Sequence, residues 1–116
     1  MKRKKLSSSA SASTFSERVV QAALSIPHGR VTTYGRIARA AGGGALSAQS
    51  VTNILGKAYD RGARDIPFHR IVYADGRIWV NSEHYKKRMA LYKKEGIKID
   101  KKSRIINFQD VLFEFE

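Results

Sequence analysis

Two short helical segments in close succession, a pair of β-prone runs around an Asp-Gly turn, and a net charge of +12 predict one fold class. That class is mainly α with a small β wing, a winged helix-turn-helix. At 116 residues the chain fits a single domain, since domains typically run to about 100–150 residues. Residues 1–13, MKRKKLSSSASAS, are basic and then almost pure Ser and Ala, with too little apolar content to offset the entropy of ordering. They are expected to form a disordered tail, leaving residues 14–116 as the domain.

The elements follow in order. Thr14-Phe15-Ser16-Glu17 has the spacing of a capping box, in which the hydroxyl and the carboxylate each satisfy a free backbone N–H at a helix start. Phe15, Val19, Ala22, Ala23 and Ile26 then recur on one helical face until Pro27-His28-Gly29 stops the run. In VTTYGRIARAAGGG, Thr32 or Thr33 can cap a short helix that ends at Gly42 to Gly44. LSAQSVTNILGKAYDRG offers Ser47 as N-cap of the next helix, with Val51, Ile54, Leu55 and Ala58 as its apolar set. These two helices make the helix-turn-helix.

In RIVYADGRIWV, two β-branched and aromatic runs flank Asp75-Gly76, a dipeptide that supplies the positive φ values of a tight hairpin turn. That hairpin is the expected wing. Ser82 is placed to cap a helix over SEHYKKRMALYKKEG, with Tyr85, Met89 and Tyr92 as its apolar stripe and Gly96 at the left-handed C-terminal position. The remainder, IKIDKKSRIINFQDVLFEF, alternates loosely. It is expected to form a small strand pair before an apolar end packs back on the domain.

Lys and Arg number 22 against 10 Asp and Glu, a field that attracts polyanions, with nucleic acid first among them. A basic protein with no polyanion partner is the alternative that charge alone leaves open. There is no cysteine, which excludes disulfides, thiolate metal sites and Cys nucleophiles. No apolar run approaches the roughly 18–20 residues of a membrane span, and MKRKK is followed by SSSASAS rather than by an apolar signal core. The expectation is no membrane association and a cytoplasmic or nucleoid-associated location, nuclear in a eukaryote. The tail is Ser-rich and free of acids, as organelle transit peptides are, but lacks their amphipathic face. His28, His69 and His84 are scattered, so neither a metal nor a cofactor is expected.

The series SIPHGRVTTYGRIARAAGG, a short helix, IPFHRIV, a D-G turn and a helix ending in KKEG resembles the DNA-binding domain of the O6-alkylguanine-DNA alkyltransferases. It is more similar still to the alkyltransferase-like proteins, which keep that fold without the reactive cysteine. The resemblance spans roughly Phe15 to Ile99. It implies a monomeric, non-enzymatic protein that binds double-stranded DNA carrying alkylated guanine and takes the flipped base into a pocket. It also implies that the lesion is flagged for nucleotide excision repair, with an excision-repair damage-recognition protein as partner.

Phe68 stands where the family's acceptor cysteine precedes the histidine, and so becomes an expected pocket wall. His69 and Glu95 match the family's proton-relay pair and complete the expected lesion pocket with Tyr34 and Phe68. Without a thiol that relay has nothing to activate, which favours a structural hydrogen bond beneath the pocket. Arg70 is expected to be a surface cation or a support for the backbone. Tyr34 matches the tyrosine that helps rotate the nucleotide out of the stack, a step costing a few kcal/mol.

Gln49 departs from the family pattern, which places an arginine there to fill the vacated stack. Ser47, Ala48, Ser50, Thr52 and Asn53 give the second helix a small polar face suited to close approach in a minor groove. Lys57, Arg61 and Arg64 are candidate phosphate contacts, or else a solvated basic loop. The competing function is a winged-helix transcription regulator reading undamaged, sequence-specific DNA. A Ser- or His-dependent hydrolase or transferase has no visible Ser/His/acid arrangement behind it.

Overall fold

The computed structural model describes residues 14–44 and 47–115. The expected tail at residues 1–13 lies outside them. Helix α1 (Phe15–Leu24) starts on the expected capping box: Glu17 N–H donates to Thr14 Oγ1 at 3.1 Å, and Thr14 N–H donates to Glu17 Oε1 at 2.8 Å. Strand β1 (Thr32–Thr33) leads directly into α2 (Tyr34–Ala40), where Thr33 Oγ1 accepts from Arg36 N–H at 3.2 Å. Helix α3 (Ala48–Asp60) follows, then a 3₁₀ turn (Phe68–Arg70), β2 (Ile71–Val72), α4 (Tyr85–Lys94) and α5 (Phe108–Val111).

Two cores hold these elements. The first is built where α1, α2 and α3 pack together, around Val19, Ala23, Ile37, Val51, Leu55 and Ile71. The second gathers Val31, Val72, Ile78, Tyr92, Ile97 and Ile105. The septum between them is a two-stranded parallel sheet in which Thr32 pairs with Ile71 and Thr33 with Val72. Successive strand residues point to opposite faces, so Ile71 enters one core and Val72 the other. The chain end packs back as expected: Val31 N–H donates to Val111 at 2.9 Å, and Phe113 and Phe115 lie against the first core.

The structure corrects several local expectations. The Asp75-Gly76 turn forms, with Gly76 at φ 86° and its N–H donating to the Tyr73 carbonyl at 2.9 Å. Its arms are joined across the turn by Tyr73 N–H donating to the Arg77 carbonyl at 3.0 Å, which closes the wing of the winged helix-turn-helix, but they do not extend into a two-stranded ladder. Ile71 and Val72 are both buried and pair in parallel with β1, while Arg77 bridges to Arg104 on the chain's return. A run buried on both faces gains more from an interior parallel pairing than from an exposed hairpin. Gly76 is also pinned by space, because a Cβ there would stand 3.2 Å from the Phe108 ring.

Ser47 occupies the cap position of α3 but makes no capping hydrogen bond, its backbone being already helical at φ −68° and ψ −21°. Ser82 does not cap α4. The Asn81 carboxamide instead accepts from His84 N–H at 2.8 Å and holds the turn ahead of a helix that begins at Tyr85. Tyr85 is 46% exposed, so α4 meets the core through Met89 and Tyr92 alone of the expected stripe. Among the described residues, no helix is long and apolar enough to cross a membrane.

Candidate nucleic-acid interface

The start of α2, one face of α3, the 3₁₀ turn, the Asp75-Gly76 turn and the start of α4 converge on a cleft of about 620 Å³. Tyr34 enters it because the Thr33 cap fixes the first turn of α2, and its ring lies 6.0 Å from that of Tyr73 at 48°. Burial pushes the Tyr34 phenol up, and Tyr73 adds to this, while the Thr52 hydroxyl and Arg88 act the other way. It is a neutral donor at physiological pH. Ala48, Gln49, Thr52 and Gly56 line the α3 side. Phe68 forms the far wall, meeting Tyr59 edge to face at 5.8 Å.

Five lining residues were not singled out as site residues from sequence: Gly56, Tyr73, Trp79, His84 and Arg88. Tyr73 and Trp79 are 38% and 41% exposed, large aromatics left on the surface on either side of a turn, which is the signal that would have found them. Arg88 is one helical turn beyond His84, and its guanidinium stands 5.7 Å from the Trp79 ring centre. Cation and aromatic face thus share one rim.

Beneath this cleft sits a buried charged network. Glu95 Oε2 is 2.6 Å from His69 Nε2, and the same carboxylate accepts from Arg70 Nη2 at 2.8 Å and from Gly29 N–H at 2.9 Å. Burial by itself would raise Glu95, but Arg70, the Gly29 N–H and His69 together hold it down at about 2. For His69, burial wins over the attraction of Glu95, whose charge Arg70 already meets, and its pKa is lowered. A neutral imidazole donating from Nε2 to an ionised carboxylate satisfies both groups.

Glu95 does not line the cleft, its side chain being 4% exposed, and His69 faces Glu95. The expected four-residue lesion pocket therefore divides into Tyr34 and Phe68 in the wall and His69 and Glu95 in the floor beneath. Arg70 is no surface cation: it closes the network and also donates from Nη1 to the Ile26 carbonyl at 2.9 Å. Above His69 lies the Tyr92 ring, whose buried hydroxyl meets no partner at hydrogen-bond geometry among the described residues; burial pushes its pKa up to about 12, against the pull of the nearby Arg88.

The remaining expected contacts separate by face. Gln49 and Thr52 are exposed at the cleft, Ser50 is exposed without lining it, and Ser47 is half-buried. Asn53, Lys57 and Arg61 turn toward α1, where they line a separate groove of about 540 Å³. Arg64 stacks over Tyr59 at 4.3 Å. Helix α4 adds Lys86, Lys87, Arg88, Lys93 and Lys94 with no acid between them. The arrangement can sandwich a planar heterocycle between aromatic walls and attract phosphates around it. With phenylalanine ahead of His69, it presents no nucleophile at that position.

Comparison with known proteins agrees with this geometry. The sequence profile of the DNA-binding domain of 6-O-methylguanine DNA methyltransferase matches residues 14–97. The fold is similar to that of S. pombe Atl1 in complex with damaged DNA containing O6-carboxymethylguanine, with a TM-score of 0.70 at 25% identity over 87% of this chain and 95% of that one. A second S. pombe structure, of ATL in complex with DNA, gives a TM-score of 0.67 at 24% identity over 87% of this chain and 95% of that one. The O6-methylguanine methyltransferase of Mycobacterium tuberculosis gives 0.54 at 26% identity over 79% of this chain, which spans only 51% of that protein. Among curated protein sequences none matches. A profile covering most of the chain, a fold shared along nearly the whole of Atl1, and a chain without cysteine place this protein in the O6-methylguanine methyltransferase DNA-binding domain family, on its alkyltransferase-like side.

Proposed function

We propose that residues 14–116 act as one non-enzymatic, monomeric DNA-binding domain that recognises O6-alkylguanine in double-stranded DNA. The observation that carries this reading is Phe68. It takes the place of the family's acceptor cysteine and presents a ring, not a thiol, to an aromatic cleft bordered by Tyr34. A damaged base is easier to extrude than a paired one, and the cleft offers Tyr34, Tyr73, Phe68 and Trp79 as surfaces against which it can stack. Tyr34 aids extrusion, Gln49 fills the vacated stack, and Lys57, Arg61 and Arg64 hold phosphates. Handing the lesion to an excision-repair damage-recognition protein is the use that follows, since a bound, unrepaired base needs a second protein to remove it.

The test is a titration of matched duplexes carrying guanine or O6-methylguanine at one site, followed by incubation with duplex radiolabelled in the methyl group. Tighter binding to the modified duplex, with the label staying on DNA, is expected. Label on the protein would overturn the non-enzymatic reading, and equal affinity with preference for one undamaged sequence would make the protein a regulator.

A further inference from the structure

Residues 98–105 lie beyond the part of the chain that the family profile matches, and they fold onto the wing. Ile78 N–H donates to the Ser103 carbonyl and Ile105 N–H to the Gly76 carbonyl, both at 2.9 Å, and Arg77 and Arg104 pair in an antiparallel bridge. A second antiparallel bridge, between Ile99 and Ile105, closes this return into a turn of its own. Wing and return thus stand side by side on the second core, in which Ile78 and Ile105 are buried.

The return turn is fixed by its own backbone. Asp100 N–H donates to the Arg104 carbonyl at 2.9 Å, and Asp100 Oδ1 accepts from Lys102 N–H at 2.8 Å and from Arg104 N–H at 3.0 Å. The carboxylate is thereby spent on main-chain donors, while the side chains of Lys98, Lys101, Lys102 and Arg104 are exposed. On the wing, Asp75 faces Arg77 at 2.9 Å and Arg104 at 3.9 Å. Across the two turns, five basic side chains stand against two acids, Asp75 and Asp100. This basic edge is continuous with the cleft, because the Arg77 guanidinium lies 5.4 Å from the centre of the Tyr73 ring, and Tyr73 lines the cleft beside Tyr34.

We infer that the return turn acts as a second wing, in which Lys101, Lys102 and Arg104 hold the phosphate backbone of the duplex to one side of the extruded base. This rests on the reading that the cleft takes that base, which fixes where the wing lies on the duplex. Strand leaving the cleft past Tyr73 meets the paired turns next. Cations on a rigid turn neutralise phosphates without reading sequence, so the contact lengthens the grip in one direction and leaves lesion choice to the cleft.

The experiment uses two series of O6-methylguanine duplexes, trimmed one base pair at a time from the 5′ or from the 3′ side of the lesion, with an untrimmed guanine duplex as reference. Anisotropy titrations compare the full chain with the double variant Lys101→Ser/Lys102→Ser, and thermal melting shows that the variant is folded. The double substitution should make trimming harmless over the outer base pairs of one flank and leave the profile of the other flank as it was. The dependence of log K on log salt should become shallower by about 0.9 per lysine, and so by about 1.8 for the pair. The preference for O6-methylguanine over guanine should stay as in the full chain. A salt slope untouched by the substitution would overturn the proposal. So would trimming profiles that are unchanged on both flanks or altered alike on both, since the lysines would then act through net charge alone. Failure of the full chain to separate O6-methylguanine from guanine would instead remove the reading of the cleft, and this inference with it.

Discussion

His69 Nε2 stands 2.6 Å from Glu95 Oε2, and the carboxylate spends its remaining lone pairs on Arg70 and the Gly29 N–H. The pair joins α4 to the 3₁₀ turn and to the loop after α1. The same atoms that could drive chemistry hold up the wall that carries Phe68.

Glu95→Gln should therefore act on stability. Removing the charge leaves Arg70, whose side chain is 19% exposed, without its ionic partner. A loss of about 3 kcal/mol is expected, at the lower end for breaking a buried pair, as a lower urea midpoint with an unchanged slope.

Acid should weaken the fold through the same groups. Glu95 is held at about 2 against an ordinary 4.5, and His69 lies below its ordinary 6.5. The unfolded chain binds more protons than the folded one throughout that window, so stability falls as pH falls. The Glu95 contribution, on the order of 3 kcal/mol, is fully present above pH 4.5 and lost as pH drops toward about 2. Urea unfolding at a series of pH values checks this, and Glu95→Gln should flatten the acid limb.

Gln49 is exposed at the mouth of the cleft with no charge to offer the phosphates. Gln49→Arg should tighten binding by on the order of 1 kcal/mol, since a planar cation both stacks and gains from the phosphate potential. Gln49→Ala should lose less than that. Titration of both variants on lesion and control duplexes reads the difference.

Tyr34→Ala should weaken binding to O6-methylguanine duplex more than to plain duplex, because only the lesion offsets the expense of extrusion with a filled cleft. An equal loss on both duplexes would make Tyr34 a phosphate contact and remove base flipping from the mechanism.

Salt gives a further check. Affinity for undamaged duplex should fall steeply with ionic strength, log K dropping by about 0.9 per phosphate neutralised for each tenfold rise in salt. Deleting MKRKK should lower the slope while leaving the lesion preference intact.

What the sequence by itself determined is what short stretches of chain dictate. The Thr14 capping box, the Thr33 cap, the stop after α1 and the positive φ at Gly76 and Gly96 each depend on neighbours within a few residues. The absence of cysteine is likewise a fact of composition. Tertiary structure decided what needs partners far along the chain. Ile71 and Val72 read as one arm of a hairpin, yet pair with Thr32 and Thr33 because burial on both faces outweighs the proximity of the other arm. The His69–Glu95 pair beneath the pocket is legible in the sequence, but the Gly29 N–H and Arg70 that satisfy the rest of the Glu95 charge are not, because they lie far from it along the chain. Trp79, His84 and Arg88 join Tyr34 only when α4 docks against the 3₁₀ turn. Local hydrogen bonds are written in adjacent residues, whereas a cleft is a relation between surfaces that only packing brings together.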